Sequence, residues 1–239
     1  MSKLLVIRHG QARLFTDNYD RLSELGVRQA ECLGEWFVER GIVLDEIFSG
    51  SLNRQQQTAD AVSGVLRTAG IPVSDLRVLE GLDEYPAEEI MRQLVPALRE
   101  SDAEIRRLSE EYDQADDYDV RYRSLHQLLA IIMQRWINGD YDRSGELMTW
   151  EEFSGGVRSA LANAMRISGR GKTVAVFTSG GPIGVSVQTA LEAPDLKAAD
   201  LNWRVHNCSV TRFTFSGERV SLDAFNDTAH MQPKMLTFR

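Results

Sequence analysis

Arg8, His9 and Gly10 stand directly after the apolar run Lys3-Leu4-Leu5-Val6-Ile7. An apolar run this short, closed by a glycine, predicts a buried strand. The carboxyl ends of strands in open α/β sheets are where ligands bind. His9 would be fixed at the end of a rigid element, and Arg8 would offer a planar fork of donors suited to phosphate oxygens. Gly10 lets the backbone turn sharply or come close to a ligand. Taken alone, the tripeptide fits equally an ordinary strand end with a surface Arg and His.

Three later stretches add to it. Phe48 to Ala59 predicts a strand end and then a helix start, with Arg54 at the helix N-terminus, where guanidinium and helix dipole both favour a phosphate. Asp83 and Glu84 follow a short strand near Val78, with Glu80 close by. Ser179-Gly180-Gly181 follows the apolar run Thr173–Phe177, and Pro182 suits the first position of a helix. Such a turn aims backbone N–H groups at an anion.

The elements that must hold these residues alternate. After the first strand comes a polar loop over Gln11–Leu22, then a helix from the N-cap Ser23 to about Arg40, with Ala30, Leu33 and Phe37 on one face and Gly41 as its stop. A strand is predicted over Ile42–Ser49 and a helix over Leu52–Ala69, closed by Gly70. Phe153, Val157, Leu161 and Ala164 mark another helix, and Val210–Phe215 with Arg219–Phe225 predict a hairpin around Ser216-Gly217-Glu218. Strands alternating with helices imply βαβ units and a mainly parallel sheet. The middle, from about Glu88 to Asn138, reads as polar helix with an apolar stripe at Leu125, Leu128, Leu129, Ile132 and Trp136 that must dock on something. The charges between Glu100 and Asp119 read as a solvated face.

The 239 residues, 43% of them hydrophobic, suffice for one large domain or a domain with an insertion. A net charge of -8 argues against non-specific nucleic-acid binding but allows an anionic small ligand in an arginine-lined cleft. The two cysteines, Cys32 and Cys208, form no metal or disulfide pattern and are expected to be buried. Neither a signal peptide nor an apolar run long enough to span a bilayer is evident, so the expected compartment is the cytoplasm.

In order along the chain, these residues resemble the histidine phosphatase superfamily, the phosphoglycerate mutase-like proteins. Arg8-His9-Gly10 matches the nucleophile motif, Leu22-Ser23-Glu24-Leu25-Gly26 with Gln29-Ala30 the first-helix signature, and Ser49–Ala59 the second-arginine segment. Asn207-Cys208-Ser209-Val210 and Asn226-Asp227-Thr228-Ala229-His230 resemble the tail of phosphatase members. The resemblance implies a three-layer α/β/α sandwich over residues 1–239, with a helical lid-type insertion at about 88–149 and a C-terminal hairpin. It implies that neutral His9 attacks phosphorus to form a phosphohistidine, that Arg8 and Arg54 hold the phosphoryl oxygens, and that Glu84 protonates the leaving alkoxide and then helps activate water. The partner would be a small phosphorylated metabolite or other phosphomonoester, with no cofactor or metal and no nucleic acid or membrane.

The chain departs from that pattern at one place. The family's second catalytic histidine follows the strand that ends here at Phe177-Thr178, where this chain has Ser179. A serine hydroxyl is shorter and neutral, yet can donate one hydrogen bond. Ser179 with the Gly180 backbone could hold the oxygen in a working phosphatase. Another histidine, His206 or His230, could fill the gap, His126 lying in the insertion. Or the chain could be weak or inactive and bind a phosphorylated ligand or partner. The first is expected, because nucleophile, both arginines and acid are all present. A phosphoglycerate mutase is disfavoured, since beyond Arg13 and Arg21 in the first loop no richly basic pocket is evident.

Overall fold

A computed structural model describes residues 1–13, 20–142, 146–217 and 219–238. Part of the expected first loop (14–19), part of the insertion (143–145) and the hairpin residue Glu218 lie outside the described residues. In chain order the elements are β1 (Ser2–Arg8), α1 (Glu24–Glu39), β2 (Glu46–Ser49), α2 (Asn53–Thr68), β3 (Leu76–Val78), a 3₁₀ turn (Glu80–Leu82), α3 (Ala87–Arg99), α4 (Ala103–Gln114), α5 (Tyr118–Asn138), α6 (Trp150–Ser168), β4 (Thr173–Thr178), α7 (Gly180–Ala190), α8 (Leu196–Asn202), β5 (Val210–Ser216) and β6 (Arg219–Asp227). They form two compact units, 1–84 with 155–239, and 85–154.

The first unit holds a six-stranded sheet in the order β3-β2-β4-β1-β5-β6. β3, β2, β4 and β1 run parallel, and β5 and β6 add an antiparallel pair. Leu4, Leu5, Val6 and Ile7 of β1 are all buried, as expected of a strand covered on both faces. Leu5, Ile7, Ile47, Ala175 and Phe177 pack with Ala30, Leu33 and Phe37 of α1 and Ala59, Val62 and Leu66 of α2. Alternation turns Leu4 to the opposite face, where it lines one groove with Leu161 of α6 and Phe213 of β5. The layers are thus helix, mixed sheet, helix.

Local chemistry sets the boundaries. Ser23 caps α1 by accepting the Gly26 N–H at 3.0 Å. β2 starts at Glu46, four residues later than Ile42, because the Ile42 N–H is spent on the Phe37 carbonyl at the end of α1 (2.9 Å). α7 starts at Gly180, so Pro182 is its third residue rather than its first; an N–H there has no intrahelical partner in any case. Cys208 is buried as expected, whereas Cys32, on α1, is only half-buried.

In the second unit Leu128, Ile132 and Trp136 of α5 are buried, as are Ile90 and Leu94 of α3 and Ile105 and Leu108 of α4. The Trp136 ring packs on Tyr85, Trp150 and Phe153, and its Nε1–H donates to the Met148 carbonyl at 2.7 Å. The charged run forms surface pairs, such as Arg107 with Glu104 and Glu111. Among the described residues no helix is long and apolar enough to cross a membrane.

Candidate active site

β1 ends opposite Thr178, the last residue of β4. The His9 N–H donates to the Thr178 carbonyl (2.8 Å), and the His9 carbonyl accepts the side-chain amide of Asn207 (3.1 Å). The backbone on either side of the imidazole is therefore fixed. The ring is 6% exposed, and its Nδ1 lies 2.8 Å from the Gly10 carbonyl. A carbonyl only accepts, so Nδ1 carries the ring proton and Nε2 keeps its lone pair. Arg54 Nε–H donates to that lone pair at 3.3 Å. Burial, and then the positive charges of Arg54 and Arg8, hold the His9 pKa well below its ordinary value, against a smaller opposing effect of the Gly10 carbonyl.

Arg54 is the second residue of α2 and is buried. Its Nη1 pairs with Asp20 Oδ1 at 2.7 Å, and Asp20 Oδ2 accepts the Asn53 N–H at 2.8 Å and the Asn53 amide at 3.1 Å. Asp20 therefore caps the helix that Leu52, at the N-cap position, leaves without a side-chain bond. One turn on, Thr58 Oγ1 donates to the Arg54 carbonyl (2.7 Å) and accepts the Gly10 N–H (3.0 Å), tying the loop after β1 to α2. Arg8 is half-buried, and its Nη1 donates to the Val205 carbonyl.

The two neighbouring acids separate cleanly. Asp83 accepts the Ser51 N–H and hydroxyl, holding the β2–α2 loop. Glu84 takes the Gly181 N–H in the first turn of α7, with its two oxygens 3.1 and 3.2 Å away. The group on this Gly-rich turn is thus the chain's own Glu84 carboxyl. Ser179 and Gln55 are fully buried between these pieces: Gln55 Nε2 donates to Ser179 Oγ (2.9 Å) and to the Leu82 carbonyl (3.1 Å). At Gly180 an added Cβ would lie 1.9 Å from Asn202 Oδ1, so the Asn202 amide would have to swing away to admit one.

His9, Arg8, Arg54, Ser179, Gly180 and Glu84 thus sit on the carboxyl ends of β1, β2, β3 and β4 and the segments that follow them. The other predicted residues have partners of their own. His206 stacks on Phe238 with ring centroids 4.0 Å apart and is held by Asn226. His230 packs against Trp36 on α1, and burial pushes its pKa down to about 4. Among the described residues neither ring is hydrogen-bonded to His9 or Arg54. Arg13 and Arg21 are exposed; Arg13 closes its own loop by donating from Nε to the Leu22 carbonyl (3.2 Å). Among the described residues no three His, Cys, Asp or Glu side chains are grouped to hold a metal ion.

Asp20 and Gln55 went unread in the sequence. Asp20 is a loop acid 34 residues from its arginine, with no local signal; Gln55 could have been noticed as a long polar side chain beside Arg54 on the turn facing the sheet.

The sequence matches the histidine phosphatase superfamily (branch 1) over residues 4–118 and 111–228. The chain belongs to that family. A phosphoglycerate mutase of Candida albicans is 38% identical over 79 residues, which span 30% of this chain and 32% of that one, about a third of the relative's length. A 2,3-bisphosphoglycerate-dependent phosphoglycerate mutase of Methylorubrum populi is 30% identical over 160 residues, 59% of this chain and 71% of the relative. In fold, the chain is similar to a phosphoserine phosphatase mutant of Entamoeba histolytica in complex with phosphoserine (TM-score 0.62, 19% identity, 97% of this chain and 100% of that one).

Proposed function

We propose that the chain is a phosphomonoesterase that works through a phosphohistidine on His9 and needs no metal. The observation that carries this reading is the state of the His9 ring. Nδ1–H is anchored on the Gly10 carbonyl, Nε2 keeps its lone pair, and burial between two guanidiniums keeps the ring neutral.

Nε2 attacks phosphorus in line and the P–O ester bond breaks. Arg8 and Arg54 balance the charge on the phosphoryl oxygens. Glu84 gives its proton to the leaving alkoxide, then takes one from the water that cleaves the N–P bond and frees inorganic phosphate. Ser179 stands where the family has its second catalytic histidine, and its hydroxyl with the Gly180 N–H would hold the remaining oxygen. The substrate is a small phosphorylated metabolite, as phosphoserine is for the Entamoeba relative. The phosphoglycerate mutases among the relatives favour mutase activity as a second reading; the exposure of Arg13 and Arg21 weighs against it.

Turnover of a generic aryl phosphate tests the proposal. His9→Ala is expected to lower kcat by about a thousandfold or more, and an alkaline quench of the parent is expected to trap a phosphoenzyme that survives alkali and is lost in acid. A His9→Ala variant as fast as the parent would remove the nucleophile assignment. Saturable phosphate binding without turnover would make the chain a binding member of its family.

A further inference from the structure

Gln55 and Ser179 are both fully buried, and they touch. The direction of their hydrogen bond follows from a third group. Gln55 Nε2 also lies 3.1 Å from the Leu82 carbonyl, which only accepts, so the atom facing Ser179 is the amide nitrogen and not the amide oxygen. Ser179 Oγ is therefore an acceptor toward Gln55. A hydroxyl has one proton, and with one lone pair taken by Gln55 that proton points elsewhere. No acceptor for it is found among the described residues, although a buried donor is normally satisfied.

The surroundings give the direction a use. The residue before Ser179 accepts the His9 N–H through its carbonyl, and Gly181, two residues on, holds Glu84. Gln55 itself follows Arg54, whose Nε contacts the His9 ring. Ser179 is thus linked, through its chain neighbours and through Gln55, to His9, Glu84 and Arg54, the groups assigned to the phosphoryl site.

We infer that Gln55 is a positioning residue that makes Ser179 a donor to a phosphoryl oxygen. The inference rests on the reading of this site as a phosphate site and deepens it. Gln55 fills both of its N–H donors, one on Ser179 and one on the carbonyl two residues before Glu84. It thereby sets the Ser179 hydroxyl and the Glu84 segment against one another. Neither residue acts alone: without the amide, the serine proton is free to turn back toward the protein.

The test is a double-mutant cycle with Gln55→Met, which keeps the length and loses the donors, Ser179→Ala, and both together. It is read by calorimetric binding of inorganic phosphate and by kcat and KM on an aryl phosphate, with thermal unfolding to score folded protein. Each single variant is expected to weaken phosphate about tenfold, the scale of one hydrogen bond to a charged group. The double variant is expected to bind no more weakly than Ser179→Ala alone, and kcat should follow the same pattern. Gln55→Met binding phosphate as tightly as the parent overturns the inference, as do two losses that multiply to about a hundredfold, or a parent that binds no phosphate. Should Gln55→Met fail to fold, Gln55→Glu, of the same length with no amide donor, takes its place in the cycle. Coupled losses in a parent without turnover would end the phosphatase reading and leave this inference standing; multiplying losses in a parent that turns over through His9 would end the inference alone.

Discussion

An imidazole serves as a nucleophile only in its neutral form, and the surroundings of His9 favour that form. Burial withdraws the solvation an imidazolium would need, and Arg54 and Arg8 add like charge. The sign is fixed: a lowered pKa means that the ring stays unprotonated at pH values below its ordinary value near 6.5. The acid limb of kcat/KM is therefore expected to lie below about pH 6.5. Arg54→Met removes the charge with the larger effect on His9, so its residual activity should be lower and its acid limb displaced upward toward that value. A pH profile of parent and variant on an aryl phosphate measures both. A parent limb at or above the ordinary value would show that the ring is not held neutral as described.

At the scale of elements, two glycines of opposite character show how the helices are placed. Gly26, in the first turn of α1, lies against the loop after His9: a Cβ there would stand 2.1 Å from the Gln11 carbonyl oxygen, and one on Gly10 would stand 2.4 Å from the Gly26 carbonyl oxygen. Both obstacles are backbone, which cannot swing aside as a side chain can. Gly26→Ala must push α1 off the nucleophile loop, at a cost of about 1–3 kcal/mol, with a loss of turnover to match. Gly64, in the middle of α2, meets nothing within 4 Å. There Gly64→Ala removes only the entropic handicap of glycine in a helix and should stabilise by about 0.5–1 kcal/mol. Denaturant unfolding of the two variants checks the pair of signs. A destabilised Gly64→Ala would mean that α2 is packed more closely than its open surface indicates.

Over the whole molecule, what could be read from sequence is what short-range pattern encodes. The apolar run of β1, the Ser23 cap, the Gly-rich turn after β4 and the stripe of α5 each declare themselves within a few residues, and the fold follows from them. The contacts that finish the site join residues far apart: Asp20 with Arg54, Gln55 with Ser179, Asn207 with the His9 carbonyl. No periodicity reports such pairs. His230 belongs with these long-range effects, because only the fold reveals that it is a packing residue. It lies against Trp36, bonded to the Cys208 carbonyl, and burial outweighs the nearby Asp227 to bring its pKa down to about 4. His9 is shifted in the same direction. A histidine that resists protonation when folded but takes a proton freely when unfolded makes stability fall on acidification. The loss begins near the unfolded value of about 6.5, grows by about 1.4 kcal/mol per pH unit for each such group, and for His230 levels off below about pH 4. Unfolding free energies are therefore expected to be flat above about pH 7 and to drop between about pH 6.5 and 5, a window that precedes most carboxylate titration. His230→Gln, which keeps a donor for the Cys208 carbonyl, should reduce that slope by up to the share of one group. An unchanged slope in this variant would mean that His230 takes up its proton as easily in the folded chain as in the unfolded one, and that the acid sensitivity of the fold arises at other groups.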